Sequence, residues 1–232
     1  KKVVFQSNYK KWGVQCDQNF TSAIADFKDT SYKPKMISTG KGRTTCSYYM
    51  PDNEHMLYAS THIGNDNCPP NPETSGAYLW PIYAEFEIYV ADLNGKIVKR
   101  LTNNNAYDAE AVVSPKGDKI LFTSDRSGDL ELYTMNLDGS NVKQITNEEG
   151  YDGGAFFSPD GGKIIWRSSQ FDTDSERVEY RKKLKKHLVS PMKMELYIAD
   201  ADGSNRRQLT HLGGANWAPF FHPSGNKVIF SS

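Results

Sequence analysis

The sequence predicts an all-β fold, a β-propeller of four-stranded antiparallel blades that carries one helical insertion. Two repeats and their spacing predict it. The first repeat is a sixteen-residue stretch written three times: EIYVADLNGKIVKRLT from Glu87, ELYTMNLDGSNVKQIT from Glu131 and ELYIADADGSNRRQLT from Glu195. The second lies between these copies: AVVSPKGDKILFTS from Ala111, AFFSPDGGKIIWRSS from Ala155 and PFFHPSGNKVIFSS from Pro219, with a degenerate SYYMPDNEHMLYAS from Ser47. Its anchor positions Met50, Ser114, Ser158 and His222 are 64, 44 and 64 residues apart. A basic period of 44 is thus interrupted twice by about 20 residues. Small sheets recurring at such a period, each packed on the next, make a propeller. A sandwich of similar-looking strands has no reason to keep one register at a fixed step.

Each unit supplies four strands, called A to D from the channel outward. Strand A carries paired apolar residues (Val112-Val113, Phe156-Phe157, Phe220-Phe221) that do not alternate with polar ones. A strand buried on both faces reads this way. It ends at a Ser-Pro-x-Gly-type turn, and strand B follows. Strands C and D form the sixteen-residue hairpin. Asn94-Gly95, Asp138-Gly139 and Asp202-Gly203 stand at its turn and supply the positive φ that a tight hairpin needs. One domain over 1–232 is expected, with blade segments at about 1–42, 43–106, 107–150, 151–214 and 215–232. KKVVFQS at the front and NKVIFSS at the back occupy the same strand of the unit. The expectation is a window on a larger ring of roughly six blades.

Bulk properties exclude some functions. Twenty-eight basic residues balance 28 acidic ones, so no net field draws in nucleic acid. No apolar run approaches the length of a transmembrane segment. There is no G-x-S-x-G elbow and no H-E-x-x-H pair, and His55, His62, His187, His211 and His222 show no ligand spacing. The sequence therefore implies no cofactor, no metal and no catalytic residue.

The SPDGGKI turn followed by ELYIADADGSNRRQLT resembles the TolB-type propeller repeat, and the resemblance covers almost the whole chain. Lys116 in SPKG, Asn53 in MPDN and His222-Pro223-Ser224 depart from the pattern only at turns. The resemblance implies a periplasmic protein of a Gram-negative cell envelope. In the Tol–Pal system the TolB propeller binds an outer-membrane lipoprotein, so it also implies a protein or peptide partner. The same repeat caps peptidases of the prolyl oligopeptidase and tricorn classes. The alternative function is therefore a gating propeller of a larger hydrolase.

Topology places the candidate sites. Loops B–C and D–A open on one face of a propeller, and loops A–B and C–D on the other. The two insertions, Thr61 to Glu85 and Gln170 to Pro191, are both B–C loops, as is NYKKWGVQCDQNF near the start. Long loops on a rigid scaffold are where binding is done. In the second insertion Asp174 or Ser175 is expected to cap a helix bearing Arg177, Arg181, Lys182, Lys183, Lys185, Lys186 and His187, with Val178, Leu184 and Leu188 as its apolar residues. That helix is either a basic lid for an acidic partner or an ordinary surface helix with solvated charges.

Thr44, Asp108, Asp152 and Asn216 share one register at the start of strand A, with Arg43, Glu110 and Trp217 nearby. They either ring the channel mouth and hold a partner's loop or simply hydrogen-bond turn backbone. Trp12, Trp80 and Trp217 lie toward the same face and raise a carbohydrate-binding reading. Cys16, Cys46 and Cys68 also fall there. A disulfide between two of them fits an oxidising periplasm, and three free thiols packed as small hydrophobes are the alternative.

Overall fold

Non-alternating apolar strands demand cover on both faces, and the chain supplies it by stacking sheets. The computed structural model describes residues 2–29 and 31–232. Blade one comprises β1 (Lys2–Ser7), β2 (Gln18–Ala23) and β3 (Lys35–Met36). Blade two is β4 (Thr44–Tyr49), β5 (His55–Ser60), β7 (Glu87–Asp92) and β8 (Ile97–Arg100), with a two-residue β6 (Trp80–Pro81) in the insertion between β5 and β7. Blade three is β9 (Asp108–Val113), β10 (Lys119–Ser124), β11 (Glu131–Asn136) and β12 (Lys143–Gln144). Blade four is β13 (Asp152–Phe157), β14 (Lys163–Ser169), β16 (Met194–Asp200) and β17 (Arg207–Gln208), with β15 (Leu188–Val189) in its insertion. β18 (Trp217–Phe221) pairs with β19 (Val228–Ser231). Every pairing between the named strands is antiparallel, as the hairpin turns require, and a single isolated parallel bridge among the described residues joins Met194 to Ala215. No helix among the described residues is long and apolar enough to cross a membrane.

The core lies in the seams between blades. On β10, Ile120 and Phe122 face blade two and join Leu57, Ile88 and Met135, while Leu121 faces blade four and joins Leu132, Ile164 and Trp166. Both faces of one strand are thus fully buried, which is why its sequence does not alternate. Each such side chain contributes roughly 1.5–3 kcal/mol of burial.

The ends of the sixteen-residue repeat stitch each hairpin. Its last residue (Thr102, Thr146, Thr210) accepts, through Oγ1, the N–H of Ile88, Leu132 or Leu196 at 2.9, 2.8 and 2.9 Å. Its first residue is a buried glutamate, Glu87, Glu131 or Glu195. Glu87 accepts from Arg100 Nη2 at 2.9 Å, and the neighbouring Asp108 accepts from Arg126 Nη2 at 2.8 Å. One unit on, Gln144 and Gln170 stand where Arg100 and Arg126 stood. Glu131 and Asp152 therefore sit in the next seam without those arginines, and Glu131 Oε2 and Asp152 Oδ2 have no hydrogen-bond partner. Burial pushes Glu131 up to about 8, and Asp152 up to about 6.

A carboxyl group with a raised folded-state pKa binds its proton more tightly folded than unfolded. Its contribution is full below the ordinary value near 4.5 and is lost as pH rises through about 8. Glu131→Gln should therefore flatten the fall in stability between pH 5 and pH 9, with a gain of roughly 1 kcal/mol or more at pH 9. Chemical denaturation across that range checks this; parallel pH profiles for variant and wild type would show that Glu131 carries no such strain.

Candidate functional site

The two insertions meet. The first is tied to blade one by a disulfide between Cys16 and Cys68, with Cα atoms 6.0 Å apart, and Cys46 is left free. Near its root, Gly42 N donates to Asp66 O at 2.8 Å and Lys41 pairs with Asp66 at 2.7 Å. Farther along, β6 pairs with β15 of the second insertion (Trp80↔Val189, Pro81↔Leu188), and Ile82 N donates to His187 O at 2.8 Å. Two loops from blades two and four thus form one strap, and Trp80 carries it across to β18 by packing edge-on against Trp217 at 4.8 Å.

The second insertion holds the expected helix, α1 (Asp174–Leu184). Its cap is Thr173, rather than Asp174 or Ser175. The Thr173 side chain accepts from Glu176 N at 3.3 Å while Glu176 reaches back to Thr173 N, closing a capping box. The helix stops at Leu184, so Lys185, Lys186 and His187 lie beyond it. Tyr180 is its one buried residue, and its hydroxyl donates to Asp129 in blade three. Arg177 and Arg181 are spent on Glu149, whereas Lys182 is exposed and has no ion pair among the described residues. α1 is therefore anchored across two blades, and only part of its basic charge is free for a partner.

Beneath the strap lies a chamber of about 390 Å³ bordered by Arg43, Trp80, Tyr83, Tyr107, Tyr151 and Arg167, with Asp17 and Glu110 also on its wall. A repeated backbone device builds it. In every strand A the register shifts at a bulge, and the left-handed residue recurs in one register as Cys46, Glu110, Gly154 and Ala218, with φ of 46°, 57°, 59° and 47°. Bulges re-aim a side chain out of the pleat. In blade three the re-aimed residue is Glu110. Its carboxylate accepts from Thr123 Oγ1 (2.8 Å), Tyr151 Oη (2.7 Å), Gly154 N (2.8 Å) and Arg167 Nη2 (2.7 Å).

Arg167 comes from strand B of blade four, where the equivalent residues of blades two and three are the small Ala59 and Thr123. Gly154 makes the room, because a Cβ there would overlap the guanidinium. The Arg167 Cζ lies 5.2 Å from the centres of both the Trp80 and Tyr151 rings, which clamps the strap to the blade. Burial opposes its charge, but Tyr151 and Glu110 outweigh that and raise its pKa. Burial also lifts the Tyr151 phenol well above its ordinary value, so it stays a donor to Glu110.

The residues singled out from sequence divide into two groups. Arg43, Trp80 and Glu110 border the chamber, and Trp217 braces the strap above it. Asp108, Asp152 and Asn216 do not ring the mouth. They are buried in the seams: Asp108 on Arg126, Asp152 on Trp166 Nε1 at 3.0 Å, and Asn216 Nδ2 on the carbonyls of Met194 and Gly213 at 3.0 and 3.1 Å. Thr44 borders the chamber, but its hydroxyl is used on Asp17 O at 3.2 Å. Trp12 packs with Phe5, Tyr9 and Phe20 inside blade one and forms no platform with Trp80 and Trp217. Arg167, Tyr151, Tyr107 and Tyr83 were missed. Their signal was a break in the repeat, a large cation in a small-residue register opposite Gly153-Gly154.

Stacked four-stranded sheets, a bulged inner strand and loops gathered at one end of a channel define a β-propeller. Residues 83–190 match the TolB β-propeller domain. Among solved structures it superposes on a protein described as TolB from Agrobacterium tumefaciens, with a TM-score of 0.66 and 20% identity over 100% of this chain and 71% of that one. On TolB from Acinetobacter baumannii the TM-score is 0.67 and the identity 19%, over 99% of this chain and 46% of that one. A puromycin hydrolase aligns with a TM-score of 0.52 and 14% identity, over 87% of this chain and 28% of that one. Identities this low show a shared fold. No curated protein matches the sequence.

If Gly154 exists to admit Arg167, the two positions are coupled. Gly154→Ala should destabilise by roughly 2–4 kcal/mol, combining left-handed backbone strain with overpacking. In an Arg167→Ala background the same change should cost only about 1 kcal/mol, that of the backbone alone. A double-mutant cycle by urea denaturation measures the difference; additive costs would deny the coupling.

Proposed function

We propose that this chain is a non-enzymatic, TolB-like binding propeller of the periplasm that holds a protein or peptide partner on its strapped face. The observation that supports this most is the joining of the two insertions. Two departures from the repeat, Thr61 to Glu85 and Gln170 to Pro191, converge as one β-paired strap over the chamber. Scaffold turns such as Asp138-Gly139 point from the opposite face and stay regular. An outer-membrane lipoprotein or another envelope component is the partner class that the TolB likeness suggests. The disulfide at the root of the strap suits an oxidising compartment.

Site-specific photocrosslinking in envelope extracts tests the face. A photoreactive residue at the exposed Tyr78 or Lys182 should capture one defined partner, and the same residue at Asp138 should capture none. Capture from Asp138 alone, or equally from both faces, would contradict the assignment.

A further inference from the structure

The chamber contains two guanidinium groups whose hydrogen-bonding capacity is underused. Arg43 donates from Nη1 to Tyr83 Oη at 3.3 Å and from Nη2 to Asn71 Oδ1 at 3.0 Å, both neutral acceptors. Its closest carboxylate oxygen, Asp17 Oδ2, stands 3.6 Å from Nε, beyond a hydrogen bond. Arg167 donates only through Nη2, to Glu110 and Tyr151. The Nε of each arginine is buried with no acceptor. Buried polar groups left without partners are rare and call for an explanation. Here both belong to the wall of one chamber.

Charge narrows the ligand. Arg167 and Glu110 neutralise each other at 2.7 Å, whereas Arg43 faces its one carboxylate, Asp17, at 3.6 Å through Nε and makes no charged hydrogen bond. Its side chain is 18% exposed, enough to border the chamber but too little for water to screen it fully. A planar, singly charged acceptor matches a guanidinium edge in two parallel hydrogen bonds. A doubly charged phosphate would bring excess negative charge beside Asp17 and Glu110.

We propose that the chamber beneath the strap receives a carboxylate, seated on Arg43 and flanked by Arg167, Tyr107 and Tyr83. It rests on the reading of this mouth as the partner-binding end, and it names the group the mouth grips. The carboxylate belongs either to a peptide partner, as its C-terminus or an acidic side chain, or to a small free acid.

Isothermal titration of the whole chain with acetyl-triglycine, acetyl-triglycinamide and succinate tests it, with Trp80 fluorescence as a second readout. Acetyl-triglycine should saturate and bind at least about tenfold more tightly than its amide. Succinate binding of equal strength would point to a small acid; binding of the peptide alone would point to a partner's terminus. Arg43→Gln should weaken the acid by about tenfold or more and leave the amide unchanged, while Arg43→Lys should retain part of the affinity. Arg43 lies outside the blade strands, so a melting curve matching wild type is expected and confirms that the variant folds. Equal affinity for acid and amide, no saturable response to either acid, or wild-type affinity in Arg43→Gln would each overturn the proposal. Because crosslinking from Tyr78 needs no carboxylate, its survival alongside any of those results would leave the partner-binding face standing while this site fell.

Discussion

The organisation of the strapped face depends on one buried ion pair, Arg167 with Glu110. Taking both charges out of water is costly, and such a pair offsets that cost only when its remaining donors and acceptors are also satisfied. Here the carboxylate is saturated by Thr123, Tyr151 and the Gly154 amide, while the guanidinium is stacked by Tyr151 and Trp80 with its Nε left without an acceptor. Trp80 belongs to the strap, so the same contact that shields the cation also holds the two insertions in place. A hydrophobic pair of equal volume would serve stability as well or better.

The seams themselves follow a different rule. Each repeat places a buried glutamate at the start of strand C and an acid or amide at the start of strand A, and each seam deals with them separately. Between blades two and three, arginines compensate both acids. Between blades three and four, glutamines replace those arginines and one of the acids is held protonated by burial instead. At the next seam Asn216 removes a charge and donates to Glu195 Oε2 at 3.1 Å. One backbone register thus accommodates three electrostatic solutions, because packing of Ile, Leu, Phe and Trp side chains, and not the polar set, fixes the sheets.

Most of the fold was legible because propeller blades repeat their chemistry. Asp-Gly turns, the Thr that ends each hairpin and the doubly apolar strand A recur in register, and register survives translation into structure. The site was less legible because it is made of exceptions. That the two insertions decorate one face followed from topology, but their pairing through Trp80–Pro81 and Leu188–Val189 rests on two residues on each side and leaves no periodic trace. Asp108, Asp152 and Asn216 were placed in the right register, yet sequence does not say whether an acid at a strand start turns toward the channel or into a seam. Arg167 was readable in principle: an arginine in a register of Ala and Thr, facing two adjacent glycines, is a local conflict that only a cross-blade contact resolves. The cysteine pairing was open among three candidates, and proximity of the blade-one loop to the first insertion selected Cys16 and Cys68.

The pairing of β6 with β15 makes the two insertions one strap, latched by Trp80. Native-state hydrogen exchange on wild type and Trp80→Ala measures it directly. Both segments, 78–83 and 187–190, should lose protection together in the variant while the strands of blades two, three and four keep theirs. Loss confined to 78–83, with 187–190 still protected, would show two independent loops and contradict it.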